Sequence, residues 1–144
     1  MMRVKKSVVI NKPVEEVFAF VHDIKNSPKW QSGVVSVRMD EGPENAVGSR
    51  FTEVRKTIGQ EMTTTLVITA FTRNVNWAAK VIKGPVPYEL SLTYTAVAEG
   101  TKITTIIEGE PKGFFKFAEG MVVSSLEKSL EEDFKQLKTI LESA

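Results

Sequence analysis

The chain has 144 residues, and we expect residues 1–144 to form a single domain with its own hydrophobic core. Its 19 basic and 18 acidic residues leave a net charge of +1, which argues against recruitment of nucleic acid or of an anionic membrane by charge. The chain has no cysteine and one histidine, so disulfides, thiolate chemistry and metal sites built from several cysteines or histidines are excluded.

Targeting segments and catalytic motifs are also missing from the sequence. No stretch has the pattern of a signal peptide, and none approaches the roughly 20 apolar residues of a membrane-spanning helix. We find no glycine-rich phosphate loop, no serine nucleophile elbow and no metal-ligand set. We therefore expect a soluble, cytoplasmic protein that uses no metal and no cofactor and has no nucleic-acid partner.

The N-terminal part predicts one strand followed by two short helices. Residues 4–10 alternate in a run rich in β-branched side chains, which is typical of a strand. The segment Asn11-Lys12-Pro13 predicts a helix start, and the apolar spacing of residues 14–22 predicts a short amphipathic helix. A second helical turn is expected over residues 24–30, ending at Gly33.

Residues 34–109 predict six consecutive strands. They are rich in valine, isoleucine, threonine and aromatic residues, and turn signals such as Gly42-Pro43 and Gly84-Pro85 separate them. Connections this short favour antiparallel hairpins, because a parallel crossover needs a dozen or more residues. The predicted strands are Val34–Met39, Ser49–Lys56, Glu61–Thr72, Val75–Ile82, Tyr88–Val97 and Lys102–Glu108.

The C-terminal residues 111–144 predict a long amphipathic helix. Its later part carries an apolar stripe at helical spacing and should pack on the sheet. Residues 114–122 are apolar nearly all round and should instead face or cap a cavity, with Gly120 as the joint between the two parts. The apolar stripe consists of Leu126, Leu130, Phe134, Leu137 and Leu141.

The order of these elements, β-α-α-β6-α, predicts an α+β fold. A seven-stranded antiparallel sheet of this length is expected to curl because of its twist. Only the C-terminal helix is long enough to lie along the concave face. The sequence therefore predicts a curved sheet that wraps around the long C-terminal helix and leaves room for a cavity.

Several short segments together resemble a known superfamily. They are Val8–Phe18, Pro28-Lys29-Trp30, Val47–Phe51, Gly100–Thr104 and Phe134–Lys138. In this order and spacing they resemble the START-like, Bet v 1-like (SRPBCC) superfamily, and especially its polyketide cyclase/dehydrase-like branch. The resemblance implies a helix-grip fold around an apolar cavity that binds lipids, sterols, polyketides or other hydrophobic small molecules. It also implies that only some members are enzymes and that they share no catalytic motif.

The cavity lining can be predicted from strand alternation, since every second residue of a strand faces the helix. Each of these residues has the alternative role of simply filling the core. For strand 61–72 the inward row stays open, because either Met62 or Val67 fits behind Phe51. The predicted ligand-binding residues are Trp30, Phe51, Trp77, Leu90, Leu92, Tyr94, Ile103, Ile107, Phe117, Ala118, Met121 and Val122.

Trp30 and His22 each allow two interpretations. Trp30 either lines the cavity mouth or pins the short helices to the sheet. His22 titrates in the range useful for acid–base chemistry, but a surface histidine at a helix end needs no further explanation.

Carboxylates on the C-terminal helix are stronger catalytic candidates than His22. Glu119 and Asp133 project within the apolar arc, where a desolvated carboxyl group can act as a general acid or anchor a ligand hydroxyl. Alternatively, Gly120 shifts the helical phase after Glu119, and Asp133 lies at the polar edge. Glu108 and Glu110 are weaker candidates for the cavity mouth.

Glu53 and Arg55 share one strand face, and we interpret them as a cross-strand ion pair rather than a site.

Three functions are compatible with these observations. The leading hypothesis is a carrier or sensor whose partner is a hydrophobic small molecule. The second is a cyclase/dehydratase-type enzyme that uses an inward carboxylate or Tyr94 for proton transfer. The third is an interaction module that uses Phe114, Phe115 and Phe117 on a partner or a membrane surface. The sequence leaves the ligand and the oligomeric state open.

Overall fold

The computed structural model describes residues 1–57 and 59–143, except for the side chains of Thr57 and Phe114. Ile58 of a predicted turn and Ala144 of the predicted helix lie outside the described residues. The strands are β1 (Met2–Ile10), β2 (Val34–Glu41), β3 (Arg50–Thr57), β4 (Gln60–Thr72), β5 (Asn76–Lys83), β6 (Tyr88–Val97) and β7 (Gly100–Gly109). The α-helices are α1 (Val14–Val21), α2 (Ser27–Trp30), α3 (Phe114–Phe117) and α4 (Glu119–Glu142), and a 3-10 turn (Ile24–Asn26) precedes α2.

The seven strands form one antiparallel sheet in the order β1-β7-β6-β5-β4-β3-β2. Strands β2 to β7 follow one another as a meander, and β1 pairs with β7 from Met2↔Gly109 to Ile10↔Thr101. Register shifts interrupt the β2–β3 and β4–β5 pairings, and such bulges bend a sheet and increase its twist. The predicted α+β helix-grip architecture and its seven-stranded curved sheet are confirmed.

One tight connection closes the sheet next to β1. Gly100, the first residue of β7 after the β6–β7 turn, has φ +137°, and a Cβ atom there would lie 2.2 Å from the backbone oxygen of Ile10. Only glycine fits this approach without a backbone shift. The glycine lets the turn lie directly against the start of the first helical segment, where Thr101 Oγ1 donates to the backbone oxygen of Lys12 at 2.8 Å.

The C-terminal helical region is divided at Ala118 and not at Gly120. Ala118 leaves the helical conformation, with φ −97° and ψ 19°, so the four-residue α3 is separate from the 24-residue α4. The predicted joint is therefore wrong by two residues, because Gly120 continues the first turn of α4 as regular helix. At ~1.5 Å per residue α4 is about 36 Å long.

Helix α4 is fastened at its C-terminal end to β1. Lys138 Nζ donates to the backbone oxygen of Val9 at 2.7 Å, and the backbone N–H of Asn11 donates to Glu142 at 2.8 Å. The described contacts of α4 are chiefly with β1 and α2. The helix therefore lies along the β1 side of the concave face, opposite β3, β4 and β5.

The buried side chains form three clusters rather than one. The first joins α1 to the C-terminal half of α4 and includes Leu137, the second joins β1 to Phe115 and Val122, and the third lies on β3, β4 and β5 around Leu66. Members of all three clusters border one internal space. The core is thus divided around a cavity.

Candidate ligand cavity

A cavity of about 180 Å³ lies between the concave face of the sheet and α4. For comparison, an apolar protein cavity of about 150 Å³ stays dry and binds benzene. The space therefore has room for one or two rings without movement of the wall. The apolar residues of the wall are Met2, Val21, Ile24, Trp30, Val37, Met39, Phe51, Met62, Leu66, Ile68, Trp77, Val86, Leu90, Leu92, Ile107, Phe115, Val122, Leu126, Leu130 and Phe134.

Seven of the twelve residues predicted to contact a ligand lie on this wall. The inward row of β4 is also settled: it contains Met62 and continues through Thr64 and Leu66, while Val67 belongs to the other face. Whether any of these side chains contacts a ligand stays a prediction. The seven are Trp30, Phe51, Trp77, Leu90, Leu92, Ile107 and Val122.

Two predicted residues are buried in the core away from the cavity wall. Ile103 has no exposed surface, and both Ile103 and Tyr94 belong to the cluster formed with α1 and the end of α4. Alternation correctly turns them toward the concave face. The prediction that they line the cavity is wrong because Val17 and Phe18 of α1 belong to the same cluster and fill the space at this end of the sheet.

Three further residues of the prediction lie near the break between α3 and α4, and none of them is part of the cavity wall. Phe117 is 96% exposed and Met121 is 59% exposed, while Ala118 is half-buried and is not part of the wall. The reason is the break at Ala118, which turns α3 so that Phe115 is the inward phenylalanine. Phe115 and Phe117 therefore do not form one exposed surface, and the side chain of Phe114 lies outside the described part.

Beyond Val122, helix α4 contributes wall residues that were not among the predicted ligand-binding residues, and they follow a helical spacing. Val122, Leu126, Ser129, Leu130 and Asp133 advance by four, three, one and three, which is one face of a helix. The cavity face therefore extends about three turns beyond Val122. Only the last part of α4, around Leu137, packs without bordering the cavity.

Trp30 both lines the cavity and holds α2 against α4. Its ring stacks on Phe134 at a centroid distance of 6.3 Å and an angle of 7°. The indole Nε1 atoms of Trp30 and Trp77 are buried, and neither has a hydrogen-bond partner among the described residues. A buried donor without a partner is costly. Both tryptophans border the cavity with their rings, while the two buried nitrogen atoms are themselves closed off from it.

His22 is buried, contrary to the expectation of a surface histidine at a helix end. It follows the last residue of α1, and its ring lies between Phe18, at 4.4 Å, and Trp77, at 5.2 Å. Nε2 is 2.7 Å from the hydroxyl of Tyr94. Burial lowers the pKa of His22 to about 3, so the ring is neutral near pH 7. Asp23, its neighbour in sequence, accepts instead from Lys25.

A set of polar residues, here called the Arg55 cluster, interrupts the apolar wall; it consists of Gln31, Glu53, Arg55, Tyr88 and Asp133. Arg55 Nε donates to Glu53 at 2.9 Å, and Nη2 donates to Gln31 at 2.8 Å. Glu53 and Arg55 lie two residues apart on β3, so the predicted ion pair exists but runs along one strand. The interpretation that it lies apart from a site is wrong, because both residues border the cavity.

Asp133 supplies a buried carboxyl group to the same cluster, and it is 3% exposed. It accepts from the backbone N–H of Ser32 at 3.1 Å and from the Ser32 hydroxyl at 3.3 Å. Burial raises the pKa of Asp133, and the bonds from Ser32 and the charge of Arg55 only partly oppose this. Of the two carboxylates singled out on the helix, Asp133 is thus the one that reaches the cavity.

The electrostatics of the cluster favour a charged arginine beside a neutral tyrosine. Burial lowers the pKa of Arg55, but the Glu53 carboxylate with its hydrogen bond and the other acidic groups outweigh it, so the pKa is raised overall. Burial raises the pKa of the Tyr88 hydroxyl, and Glu53 adds to this. The cluster therefore presents the cavity with N–H and O–H donors whose positive charge is already balanced.

The remaining acidic candidates lie away from the cavity. Glu119 begins α4 and is not part of the wall. Glu108 pairs with Arg3 at 3.4 Å, and Glu110 pairs with the N-terminal amine at 3.3 Å. Among the described residues, no group of three or more acidic or histidine side chains has the arrangement of a metal site. No described helix has the length and apolar character needed to cross a membrane.

A curved antiparallel sheet closed by a long C-terminal helix around an internal cavity defines the helix-grip class of protein. Residues 1–142 match the family model described as polyketide cyclase / dehydrase and lipid transport, and the chain belongs to that family. The resemblance noted from the sequence is confirmed. Proteins of this superfamily generally bind hydrophobic ligands. No curated protein matches the chain.

Solved structures share the fold at low sequence identity. A protein from Thermus thermophilus, TTHA0849, is similar with a TM-score of 0.77 and 16% identity, covering 96% of this chain and 99% of that one. Ara h 8.0201 has a TM-score of 0.75 and 15% identity, covering 99% of both chains. A START superfamily protein from Mycobacterium smegmatis has a TM-score of 0.73 and 17% identity, covering 94% and 98%. At these identities the likeness concerns the fold alone.

Proposed function

We propose that the protein binds a small hydrophobic molecule in the cavity between the sheet and α4. The observation that carries this proposal is an internal space of about 180 Å³ bordered by members of all three buried clusters. Protein interiors are normally filled to crystal-like density, so a space of this size is a feature that needs a reason. The family description, which includes lipid transport, points in the same direction.

The size of the cavity narrows the range of ligands. A molecule of one or two rings fits the space as it stands, whereas a sterol or a long lipid chain requires the wall to move. Aromatic rings on the wall, including Trp30, Phe51 and Trp77, favour an aromatic ligand through offset or edge-to-face contacts. We therefore place small aromatic compounds ahead of sterols among the candidates. A cytoplasmic location remains a prediction.

The proposal can be tested with a graded panel of ligands. Purified protein is incubated with benzene, naphthalene, a sterol and a fatty acid, and complexes are detected by native mass spectrometry and by the shift in melting temperature. We expect the two aromatic compounds to bind. A Val122→Phe variant should lose this binding because the larger side chain fills the cavity, whereas Val35→Phe, at an exposed site, should not. Failure of every compound to bind, or equal binding by Val122→Phe, would contradict the proposal.

A second candidate function, cyclase/dehydratase-type chemistry, is favoured by one observation. Asp133 places a buried carboxyl group with a raised pKa on the cavity wall, as proton transfer to a bound ligand requires. A suitable test is the loss of water from a small aromatic β-hydroxy ketone, followed by the absorbance of the enone. Asp133→Asn should abolish the reaction and retain binding. No acceleration by the wild type would exclude this function for that substrate class.

A further inference from the structure

We propose that the Arg55 cluster selects ligands by charge, with Arg55 binding a neutral oxygen acceptor and Glu53 excluding carboxylates. In chemical terms, the preferred ligand is a small aromatic ketone or a similar uncharged oxygen compound. The inference deepens the proposed function and rests on it, because it concerns the polar end of a ligand held in the same cavity.

The first line of evidence is an unused set of donors. A guanidinium group has five N–H donors, and the described hydrogen bonds of Arg55 engage Nε and Nη2 only, with Glu53 and Gln31. No hydrogen bond of Nη1 is found within the described residues. The side chain is 22% exposed and borders the cavity. An oxygen atom on a ligand is therefore able to accept a hydrogen bond from an N–H group of Arg55 that the described residues do not engage.

The second line of evidence is the tryptophan donor next to the cluster. Trp30 immediately precedes Gln31, the residue that holds Arg55 Nη2, and its buried Nε1 has no partner among the described residues. Indole N–H is a donor only, as is the guanidinium. The protein supplies no acceptor for the indole donor, so this part of the wall is rich in donors; because Nε1 itself is closed off from the cavity, Arg55 is the donor that a ligand oxygen can reach.

The third line of evidence is the charge balance. Glu53 already neutralises Arg55 through Oε1 at 2.9 Å and Oε2 at 3.3 Å, and Asp133 adds a further buried carboxyl group to the cluster. A ligand carboxylate would lose its hydration and meet these acidic groups without an unpaired cation to compensate. A ketone loses much less hydration on entry and is not repelled. Glu53 thus acts as a specificity-determining residue.

Three nearly isosteric ligands and four proteins test this inference. The ligands are 2-ethylnaphthalene, 2-acetylnaphthalene and 2-naphthoate, which share a two-ring body and differ at the side chain. The proteins are the wild type, Glu53→Gln, the double variant Glu53→Gln/Arg55→Met, and Glu41→Gln. Glu41 is an exposed residue at the end of β2 and does not border the cavity, so its variant makes the same charge change elsewhere. Dissociation constants are measured by titration calorimetry near pH 7.5, after thermal unfolding has confirmed that each variant is folded.

The expected results separate the two cavity variants from the wild type and its control. The wild type and Glu41→Gln should bind the ketone about tenfold more tightly than either other ligand, the difference of one satisfied buried hydrogen bond. Glu53→Gln should gain about tenfold in affinity for naphthoate, because Arg55 is then an unpaired cation. The double variant removes both charges together, so it avoids a buried unpaired carboxylate, and it should lose the preference for the ketone.

Two outcomes would overturn the inference in distinguishable ways. If 2-ethylnaphthalene binds but ketone and carboxylate bind equally in the wild type, or if Glu53→Gln leaves the affinity for naphthoate unchanged, charge selection is refuted and the apolar cavity function stands. If none of the three ligands binds to the wild type, the proposed function fails, and the inference fails with it.

Discussion

His22 is buried by its neighbours in the fold rather than by any feature of its local sequence. The ring lies among Phe18, Trp77 and Tyr94, and burial lowers its pKa from 6.5 to about 3. The unfolded chain takes up this proton near pH 6.5, while the folded protein stays neutral until about pH 3. The stabilisation that depends on neutral His22 is therefore complete above pH 6.5 and is lost as the pH falls toward 3.

Replacement of His22 by glutamine should remove this pH dependence. Between pH 6 and pH 4 the wild type should lose up to about 1.4 kcal/mol of unfolding free energy per pH unit relative to His22→Gln. Urea denaturation at several pH values measures the difference. As His22 is the only histidine, its imidazole proton resonances provide an independent check and should not titrate near pH 6.5. Parallel pH profiles for the two proteins would contradict the buried, neutral assignment.

Asp133 predicts a pH dependence of the opposite sign. Burial raises its pKa above 3.8 in the folded protein, so the protonated form is favoured by folding. The resulting stabilisation is fully present below the pKa that Asp133 has in the unfolded chain. It is lost as the pH rises through the higher pKa that Asp133 has in the folded protein. Asp133→Asn does not titrate, and its amide oxygen can still accept from Ser32.

The unfolding free energy of Asp133→Asn should therefore increase relative to that of the wild type as the pH rises toward 7. Unfolding free energies from urea titrations between about pH 3.5 and pH 7 give the measurement. Glu132→Gln is the matched control, because Glu132 is the exposed neighbour on the same helix. A constant difference between wild type and Asp133→Asn over this range would show that Asp133 titrates as an ordinary surface carboxyl group.

At the scale of elements, the helical region breaks at Ala118, so Gly120 is not the joint that the sequence suggested. Gly120 is the second residue of α4, it is exposed, and a Cβ atom there would meet nothing within 4 Å. Glycine in a helix interior costs about 0.5–1 kcal/mol relative to alanine. The residue therefore weakens α4 without any compensating contact among the described residues.

Gly120→Ala should consequently stabilise the protein, by no more than roughly 0.5–1 kcal/mol because Gly120 lies in the first turn of α4. Gly100→Ala is the contrasting variant, since its Cβ atom would lie 2.2 Å from the Ile10 backbone oxygen and its φ is +137°. That variant should lower the melting temperature. If Gly120→Ala lowered it as well, Gly120 would have a conformational role that regular α4 geometry does not explain.

The cavity also divides α4 into two parts with different energetics. Leu137 has no exposed surface and packs in the core between β1 and α1, whereas half-buried Leu130 borders the cavity. Leu137→Ala should cost about 2–5 kcal/mol. Leu130→Ala should cost less than about 2 kcal/mol, because a side chain beside an existing space loses fewer packing contacts.

Urea denaturation of the two leucine variants tests this division of α4. Leu130→Ala should also bind larger aromatic ligands than the wild type, since it widens the cavity, while Leu137→Ala should not. Equal losses of stability from the two substitutions would indicate that the helix packs uniformly along its length, with no functional division.

At the scale of the whole molecule, the sheet was predictable and the details of its concave face were less so. Alternation and turn signals identify all seven strands within about two residues, because each strand has one face toward the core and short connections on both sides. The inward row of β4 was not predictable, since Thr63 to Val67 place similar residues on both faces. Only the register with β3 and β5 decides it.

The parts of the site that sequence reasoning missed are those set by tertiary contacts. Glu53 and Arg55 have the spacing of a solvent-facing ion pair, and only the curl of the sheet over α4 turns them inward. The break at Ala118 has no glycine or proline at its position to mark it. His22 is buried by Trp77 and Tyr94, residues distant in the chain.

The central claim is that the space between sheet and α4 is a binding site, and methyl-resolved NMR during titration with 2-ethylnaphthalene tests it most directly. Ring-current shifts should appear at the methyl groups of Leu90, Ile107 and Val122, which border the cavity. The exposed methyl groups of Ile82 should not move. Saturable shifts confined to the cavity wall are the result expected here, whereas no shift, or shifts centred on exposed Met121, would contradict the account.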